Sequence, residues 1–411
     1  MMPEVDTVKG FRDILPPESI KRRAVRRIIE REFALNGFLP LETPFIEYDE
    51  LMRPDTLQGE QEDEAISDRF RLKDRGGRNL GLRYEFTFQL ARLLRLNPTV
   101  KMPFRRYQIG EVFRDEPIGE GRYRQFTQCD IDVIGDSSIK GEVECIAIMK
   151  TILDKLGIEA EIQVNNRKLI QALIESCELL NTKQVMRELD KLDKIGEDLV
   201  KMNLKKYGDA NQIVTLFKLL EKDISFYQKN KFEGAEEIAQ LIAEAKKQGI
   251  TLTCNPTLIR GLSYYTGNII EIKQPGKGTL IAGGRYDNTV GKYLNKQLPA
   301  FGLSCGLDRL TTVADIPEQY PALVQLISIQ QDKATQTLAQ KLRKANIPVT
   351  LLFDKPGKCL EYASAYGLPY ALFIVEDELK KKKFKLRDLK TGTEQEYTEK
   401  QLITKLSSLL F

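Results

Sequence analysis

The sequence predicts an α+β protein: an antiparallel-strand body, an all-helical insertion within it, and a compact α/β domain at the end of the chain. Three observations carry this expectation. Residues 102–135 read as two strands joined by a polar, Gly-rich loop. From about Asn165 to Gly249, Lys, Glu, Leu and Ile recur at helical spacing, as in LIQALIESCELL and EGAEEIAQLIAEAKKQG. From Leu323 onward, strand and helix patterns alternate, which implies an α/β unit with a mostly parallel sheet. The expected boundaries are 1–320 for the body, 165–250 for the insertion and 321–411 for the last domain, with a hinge near Ile316–Pro321.

Taken in order, Ser19 to about Asn36 carries apolar residues at Ile20, Ala24, Ile28, Ile29 and Phe33, a helix that Gly37 ends. GFLPLETPFIEY reads as one extended strand, and Pro40 and Pro44 confine it to a sheet edge or an interface. NLGLRYEFTFQLARLL is a strand running into a helix, with Glu85 and Thr87 on one face where the two meet. There Thr87 could equally be an N-cap beside a solvated Glu85. Residues 136–156 look helical, and a strand is expected around Ile158–Val164.

After the insertion, strand signals return in TLTCNPTLIRGLSYYTGNIIEI, IAGGRYD and AFGLSCGLDRL. The last of these turns into a helix with Arg309 in its first turn, so the helix's positive end and Arg309 face one way. In the final domain the strands are VQLISI, IPVTLLF, PYALFIVE and FKLRDL, with a Lys-rich turn at 380–383 and a last helix from Thr398.

The hairpin is the most informative stretch. Side chains two apart share a face, so Phe126, Gln128, Asp130 and Asp132 line one side while Thr127, Cys129, Ile131 and Val133 line the other. A core face would not carry three polar groups in succession, and a solvent face has no use for Phe126. Arg114 and Arg122 stand at the two ends of the loop. A floor of acceptors rimmed by guanidinium groups suits a ligand that is both cationic and phosphorylated. The bland alternative is an ordinary hairpin with a solvated face.

Composition narrows the chemistry. Histidine is absent from all 411 residues, which removes imidazole bases, imidazole metal ligands and Ser–His triads. Six cysteines lie far apart without a CxxC pair, against a zinc site or a disulfide framework. The N-terminus shows no signal-peptide core and no apolar run could span a bilayer, so a cytoplasmic protein without membrane contact is expected. Residues 322–411 hold 15 Lys and Arg against 10 Asp and Glu, a basic domain suited to a polyanion such as nucleic acid. A solvated Lys-rich loop would leave the same imprint.

No Walker sequence and no GxGxxG between a strand and a helix is present, so bound phosphates must be held by arginines: Arg114, Arg122, Arg260 and Arg309. Arginines with acidic partners on antiparallel strands suit adenylation, in which a carboxylate attacks the α-phosphate of ATP. A carboxylate is already a nucleophile at neutral pH, so positioning and charge neutralisation suffice.

Here the residues resemble a known family. KGFRD at 9–13, LRYEFT at 82–87, RYRQFTQCDIDVIG at 122–135, IRGLSYYTG at 259–267, AGGRYD at 282–287 and FGLSCGLDRL at 301–310 resemble the landmarks of the class II histidyl-tRNA synthetases. The resemblance spans nearly the whole chain. It implies an antiparallel class II catalytic core with a helical insertion, followed by an α/β anticodon-binding domain. The implied activity is ATP-dependent ligation of L-histidine to tRNA(His) through a histidyl-adenylate, in a homodimer built around Pro44.

The resemblance also implies roles. Glu85, Thr87 and Gln128 would hold the histidine ammonium, Asp132 and Tyr265 would read the imidazole, and Tyr264 and Tyr286 would enclose the pocket. Arg114 would contact the α-phosphate, Arg122 and Arg309 the other phosphates, and Phe126 the adenine. Arg260 would bridge the substrate carboxylate and the α-phosphate, so Arg260 and Arg114 form the catalytic pair. Mg²⁺ would accompany ATP, with no ligand residues assigned. Asp132 stands where many members have Glu, and the loop DEPIGEG lacks the basic residues many members carry. The competing expectation is a catalytically silent paralogue, a regulatory subunit or tRNA sensor, which usually lacks both the Arg260 equivalent and the last domain.

Overall fold

A computed structural model describes residues 5–52, 68–119, 121–259, 264–294 and 296–409. The chain divides into two compact units, Met1–Asp13 with Val25–Ile316 and Ile14–Ala24 with Pro317–Phe411.

Among the described residues, the larger unit holds an eight-stranded sheet. Its order is β1 (Leu39–Pro40), β5 (Phe104–Phe113), β6 (Gln125–Ile134), β11 (Ala300–Gly306), β10 (Gly278–Arg285), β9 (Asn268–Gln274), β7 (Glu161–Asn166) and β8 (Thr253–Cys254). Every interior pairing from β5 to β7 is antiparallel, and only the edge pairs β1–β5 and β7–β8 are parallel. A second sheet of three short strands, β2 (Ile46–Tyr48), β4 (Asn79–Leu82) and β3 (Arg71–Lys73), is antiparallel throughout.

The single strand expected over GFLPLETPFIEY is therefore two strands in two sheets. Pro40 ends β1 at the edge of the large sheet, where a residue without an N–H costs no ladder bond, and the chain leaves for the small sheet before Ile46.

Two helices cover the inner face of the large sheet. α1 (Glu18–Leu35) buries Val25, Ile29 and Phe33, one turn apart on a single face. α3 (Ile139–Lys155), capped by the Ser138 hydroxyl, buries Val143, Ile146, Met149 and Leu153. Both pack into the core that contains Cys129, Ile131 and Val133 of β6. That leaves the alternate residues of β6 for the opposite face, and α2 (Thr87–Leu96) lies between β4 and β5 in the chain.

The helical segment from Arg167 to Lys247 connects β7 to β8, which then lie side by side. Leu169, Leu173, Val185, Leu216, Tyr227 and Leu241 from this segment join the main core. Asn165, buried at the end of β7, donates its amide to the carbonyls of Pro256 and Leu258 at 3.0 and 2.9 Å. It thereby ties down the chain leading toward residue 260.

The smaller unit orders its strands β13 (Val349–Leu352), β12 (Val324–Ser328), β14 (Tyr370–Ile374), β15 (Lys383–Asp388) and β16 (Glu394–Thr398). β12 pairs in parallel with β13 and β14, whereas β14–β15 and β15–β16 are antiparallel. The sheet is mixed, not mostly parallel as its alternating pattern suggested. A parallel return needs a crossover of about a dozen residues or more, and the segment 375–382 is too short for one.

The Lys-rich turn is itself different: Glu376–Lys381 forms a helix. Three acids open it, lysines close it, and Glu376 pairs with Lys380 at 2.7 Å, all in the sense the helix dipole favours. The last helix, Glu399–Ser407, starts as expected behind Thr398, which forms a capping box with Gln401.

Candidate active site

β6 lies at the centre of the site with β5 on one side and β11 on the other. The registers put Arg106, Asp132 and Gly302 in one row across the sheet, and Gln108, Asp130 and Ser304 in the next. Gly110, Gln128 and Gly306 form a third row. The trough depends on missing side chains. A Cβ on Gly302 would lie 2.1 Å from Asp132 Oδ1, and one on Gly283 would lie 2.0 Å from the Gly302 carbonyl oxygen. Any larger residue at either position would displace the floor.

One end of the cleft is acidic and phenolic. Glu85 is buried at the strand–helix corner, where its Oε1 accepts from the Phe88 N–H at 3.1 Å and its Oε2 from the Tyr264 hydroxyl at 2.9 Å. Glu85 thus serves the start of α2 itself; Thr87 is the first helical residue, and the N-cap position, Phe86, makes no side-chain cap. Burial pushes the Glu85 carboxyl up to about 7, while the Tyr264 hydroxyl and the Arg114 charge pull the other way. Burial likewise pushes Asp130 up to about 7, opposed by Arg106 and reinforced by Asp132.

Asp132 is nearly closed off from solvent. Its Oδ1 accepts the Tyr286 hydroxyl, and its Oδ2 lies 2.7 Å from Nη2 of Arg106, whose side chain has no exposed surface. Tyr264, Tyr265 and Tyr286 pack edge-on or tilted with centroids 4.8 and 5.9 Å apart. Gln128 donates to the Ser304 hydroxyl at 2.7 Å, leaving its Oε1 without a partner among the described residues.

The other end is cationic and open. The Arg114 guanidinium lies over the Tyr84 ring at 4.3 Å and the Phe126 ring at 5.1 Å. Glu116 sits between Arg114 and Arg122, at 3.5 and 3.3 Å. Arg309, in the first turn of the helix Leu307–Val313, donates to the Thr279 carbonyl at 2.9 Å. Asp308 beside it accepts from the Thr127 N–H at 3.0 Å and pairs with Arg12 at 3.5 Å, while Arg12 also covers the Tyr123 ring.

The cleft is lined by Glu85, Thr87, Arg114, Arg122, Phe126, Gln128, Asp132, Tyr264, Tyr265, Tyr286 and Arg309, so these sequence-selected residues meet in one place. Arg260 lies outside the described residues. Sequence reasoning missed Arg106, Glu116 and Ser304. Arg106 follows Arg105 in the sequence, and only the cross-strand register with Asp132 reveals it. Glu116 could have been found from its place between two loop arginines. For a divalent metal the fit is poor: among the described residues no three Cys, Asp or Glu side chains gather as ligands. The carboxylates at the cationic end, Glu116 and Asp308, are already ion-paired.

Comparison with known proteins gives two matches to family models. Residues 10–310 match the model described as histidyl-tRNA synthetase, and residues 322–409 the one described as an anticodon binding domain. The chain belongs to the histidyl-tRNA synthetase family. Relatives in that family span it end to end. Histidine–tRNA ligase 1 of Bacillus cereus is 36% identical, covering 95% of this chain and 94% of its own. Histidine–tRNA ligase of Wolinella succinogenes is 34% identical over 94% of each. The crystal structure of histidyl-tRNA synthetase from Nostoc sp. superposes with a TM-score of 0.85 at 27% identity, covering 98% of this chain and 99% of that one. Membership makes the chain an aminoacyl-tRNA synthetase with a class II core, and full-length ligase relatives do not favour the silent paralogue. The histidyl-tRNA synthetase family uses ATP, and the match to its anticodon-binding domain falls on the basic end of the chain.

Proposed function

We propose that this chain activates L-histidine with ATP and transfers it to tRNA(His), with the acidic end of the cleft taking the amino acid and the cationic end the nucleotide. The observation that carries this reading is the polarity of the cleft. Buried carboxylates and phenols at one end match an ammonium and an imidazole; arginines beside an aromatic face at the other match phosphates and adenine.

Glu85, Thr87 and Gln128 would hold the ammonium, while Asp132 and Tyr265 face the ring, with Tyr264 and Tyr286 closing the pocket. The substrate carboxylate then attacks the α-phosphate of ATP; its P–O bond to the β-phosphate breaks and pyrophosphate leaves. Arg114 and Arg260 neutralise charge at the α-phosphate, and Arg122 and Arg309 hold the outer phosphates. To do so, Arg114 and Arg122 must exchange Glu116 for phosphate oxygens. No proton need be removed, consistent with a chain free of histidine. In the second step the terminal ribose hydroxyl of tRNA attacks the adenylate carbonyl, the acyl–phosphate bond breaks, and AMP departs with the hydroxyl's proton on its phosphate. Mg²⁺ would arrive on the phosphates of ATP, with water completing most of its coordination.

The described residues contain no helix long and apolar enough to cross a membrane. A cytoplasmic homodimer completes the reading. Phe45, Ile46, Tyr48 and Leu72, on or beside the small sheet near Pro44, are 40–48% exposed, an apolar surface a second copy would cover. Sedimentation of a monomer at micromolar concentration would remove this element alone.

The deciding experiment is ATP–pyrophosphate exchange with each amino acid in turn. Exchange should depend on histidine, and purified protein that shows none with histidine overturns the assignment.

A further inference from the structure

Arg106 is the most deeply buried charge in the larger unit that the adenylation chemistry leaves without a task. Its side chain has no exposed surface, and Nη2 lies 2.7 Å from Asp132 Oδ2. Nε, Nη1 and Nη2 make no hydrogen bond among the described residues; the contact with Asp132 is an ion pair, and Asp132 is the counter-charge this guanidinium meets at contact distance. A buried cation is tolerated only where such a partner is fixed.

The dependence runs both ways. Asp132 is fully enclosed, and burial drives its carboxyl toward the neutral form, with Arg106 as the main opposing charge and the Tyr286 hydroxyl as the second. A neutral acid would be a donor at one oxygen; an ionised one accepts at both. Tyr286 donates to Oδ1 and the Arg106 cation faces Oδ2, so both oxygens are called on as acceptors, as only the ionised form allows. Gly302, whose Cβ would collide with that same oxygen, keeps the carboxylate free to face the trough.

We propose that Arg106 is a positioning residue that sets ring specificity: it pins Asp132 as an acceptor shared between Tyr286 and a ring N–H of the substrate. The inference rests on the reading of this end of the cleft as the histidine site. An acceptor fixed in this way admits an amino acid whose flat ring offers an N–H, and penalises one of equal size that offers none. The penalty arises because the buried carboxylate would lose a partner it cannot recover from solvent.

The test compares histidine with β-(2-thienyl)alanine, a ring of similar size without N–H, in pyrophosphate exchange by the wild-type protein, Arg106→Met and Arg106→Lys. In Arg106→Met, kcat/KM for histidine should fall about 10–100-fold, the scale of a lost charge-assisted hydrogen bond, with KM for ATP within about two-fold. The preference for histidine over thienylalanine should shrink by a similar factor. Arg106→Lys, which keeps the charge, should recover part of it. Should Arg106→Met fail to fold because it strands Asp132, Arg106→Gln, which keeps a hydrogen-bond donor beside Asp132 without the charge, must show the same loss of discrimination.

A folded variant lacking the Arg106 charge that keeps the wild-type preference overturns the proposal. So does a loss that falls equally on both amino acids and on ATP, which would mark Arg106 as structural. Wild-type protein without histidine-dependent exchange would instead refute the histidine reading itself, a distinct outcome.

Discussion

The Tyr264 hydroxyl donates to Oε2 of Glu85 at 2.9 Å, joining a residue at the strand–helix corner to one 179 positions later. The same carboxylate accepts the Phe88 N–H, so one buried acid both starts α2 and faces the ligand cleft.

That acid makes amino-acid binding sensitive to pH. Its carboxyl sits at about 7, raised by burial, and only the ionised form attracts an ammonium. KM for histidine should therefore rise as pH falls through 7. Glu85→Gln should raise KM at pH 8 by roughly 10–100-fold and flatten this dependence. The substrate's own imidazole titrates near pH 6.5 in assays of both proteins alike. The difference between their exchange profiles from pH 6 to 8.5 isolates Glu85, and parallel profiles would exclude it as the ammonium contact.

The ligand-free protein should show the reverse trend in stability. A carboxyl whose folded value is about 7 and whose unfolded value is 4.5 binds more protons when folded between those limits. Its contribution is then most favourable below pH 4.5 and is lost as pH rises through 7, by on the order of 3 kcal/mol. Other acids titrate over the same range, so the informative quantity is again a difference. Chemical denaturation of Glu85→Gln at pH 5.5 and pH 8 should show a smaller loss than the parent; an equal loss would contradict the burial argument.

Gly302→Ala tests the trough directly. The added methyl would meet Asp132 Oδ1 at 2.1 Å, so the carboxylate must move or the strands must part. Histidine-dependent exchange should drop at least about 5-fold through KM for histidine, because overpacking of this kind costs about 1–3 kcal/mol. KM for ATP should change little, since Phe126 stands six residues away from Asp132 along β6. An unchanged histidine KM would mean that the ligand does not use this row.

Charge neutralisation is checked with Arg114→Ala and Arg260→Ala. Each should lower the adenylation rate by about 10²–10³-fold, the scale of one lost transition-state donor. Single-turnover adenylate formation gives this rate directly. Activity within a few-fold of the parent would assign that arginine to structure alone.

Much of this arrangement could be read from the chain before any coordinates. The two-residue alternation of β6 placed Gln128, Asp130 and Asp132 on one face and Cys129, Ile131 and Val133 on the other, because sheet geometry leaves no third choice. The sequence pattern starts the last helix at Thr398, where the structure adds a capping box with Gln401. What resisted reading was non-local. Arg106 acquires meaning only from its register against Asp132, and the identity of Glu85 as a buried acid depends on Tyr264 arriving from across the fold. The mixed sheet of the smaller unit turned on the length of one connection, and the helix Glu376–Lys381 on charges that composition alone reads as a solvated turn.

The closed acidic chamber has a practical corollary for spectroscopy. No imidazole exists anywhere in this polypeptide, so every such resonance in a purified complex must come from the guest. With ¹⁵N-labelled free amino acid and unlabelled protein, the tautomer held against Asp132 becomes directly observable, without subtraction of any background from the host.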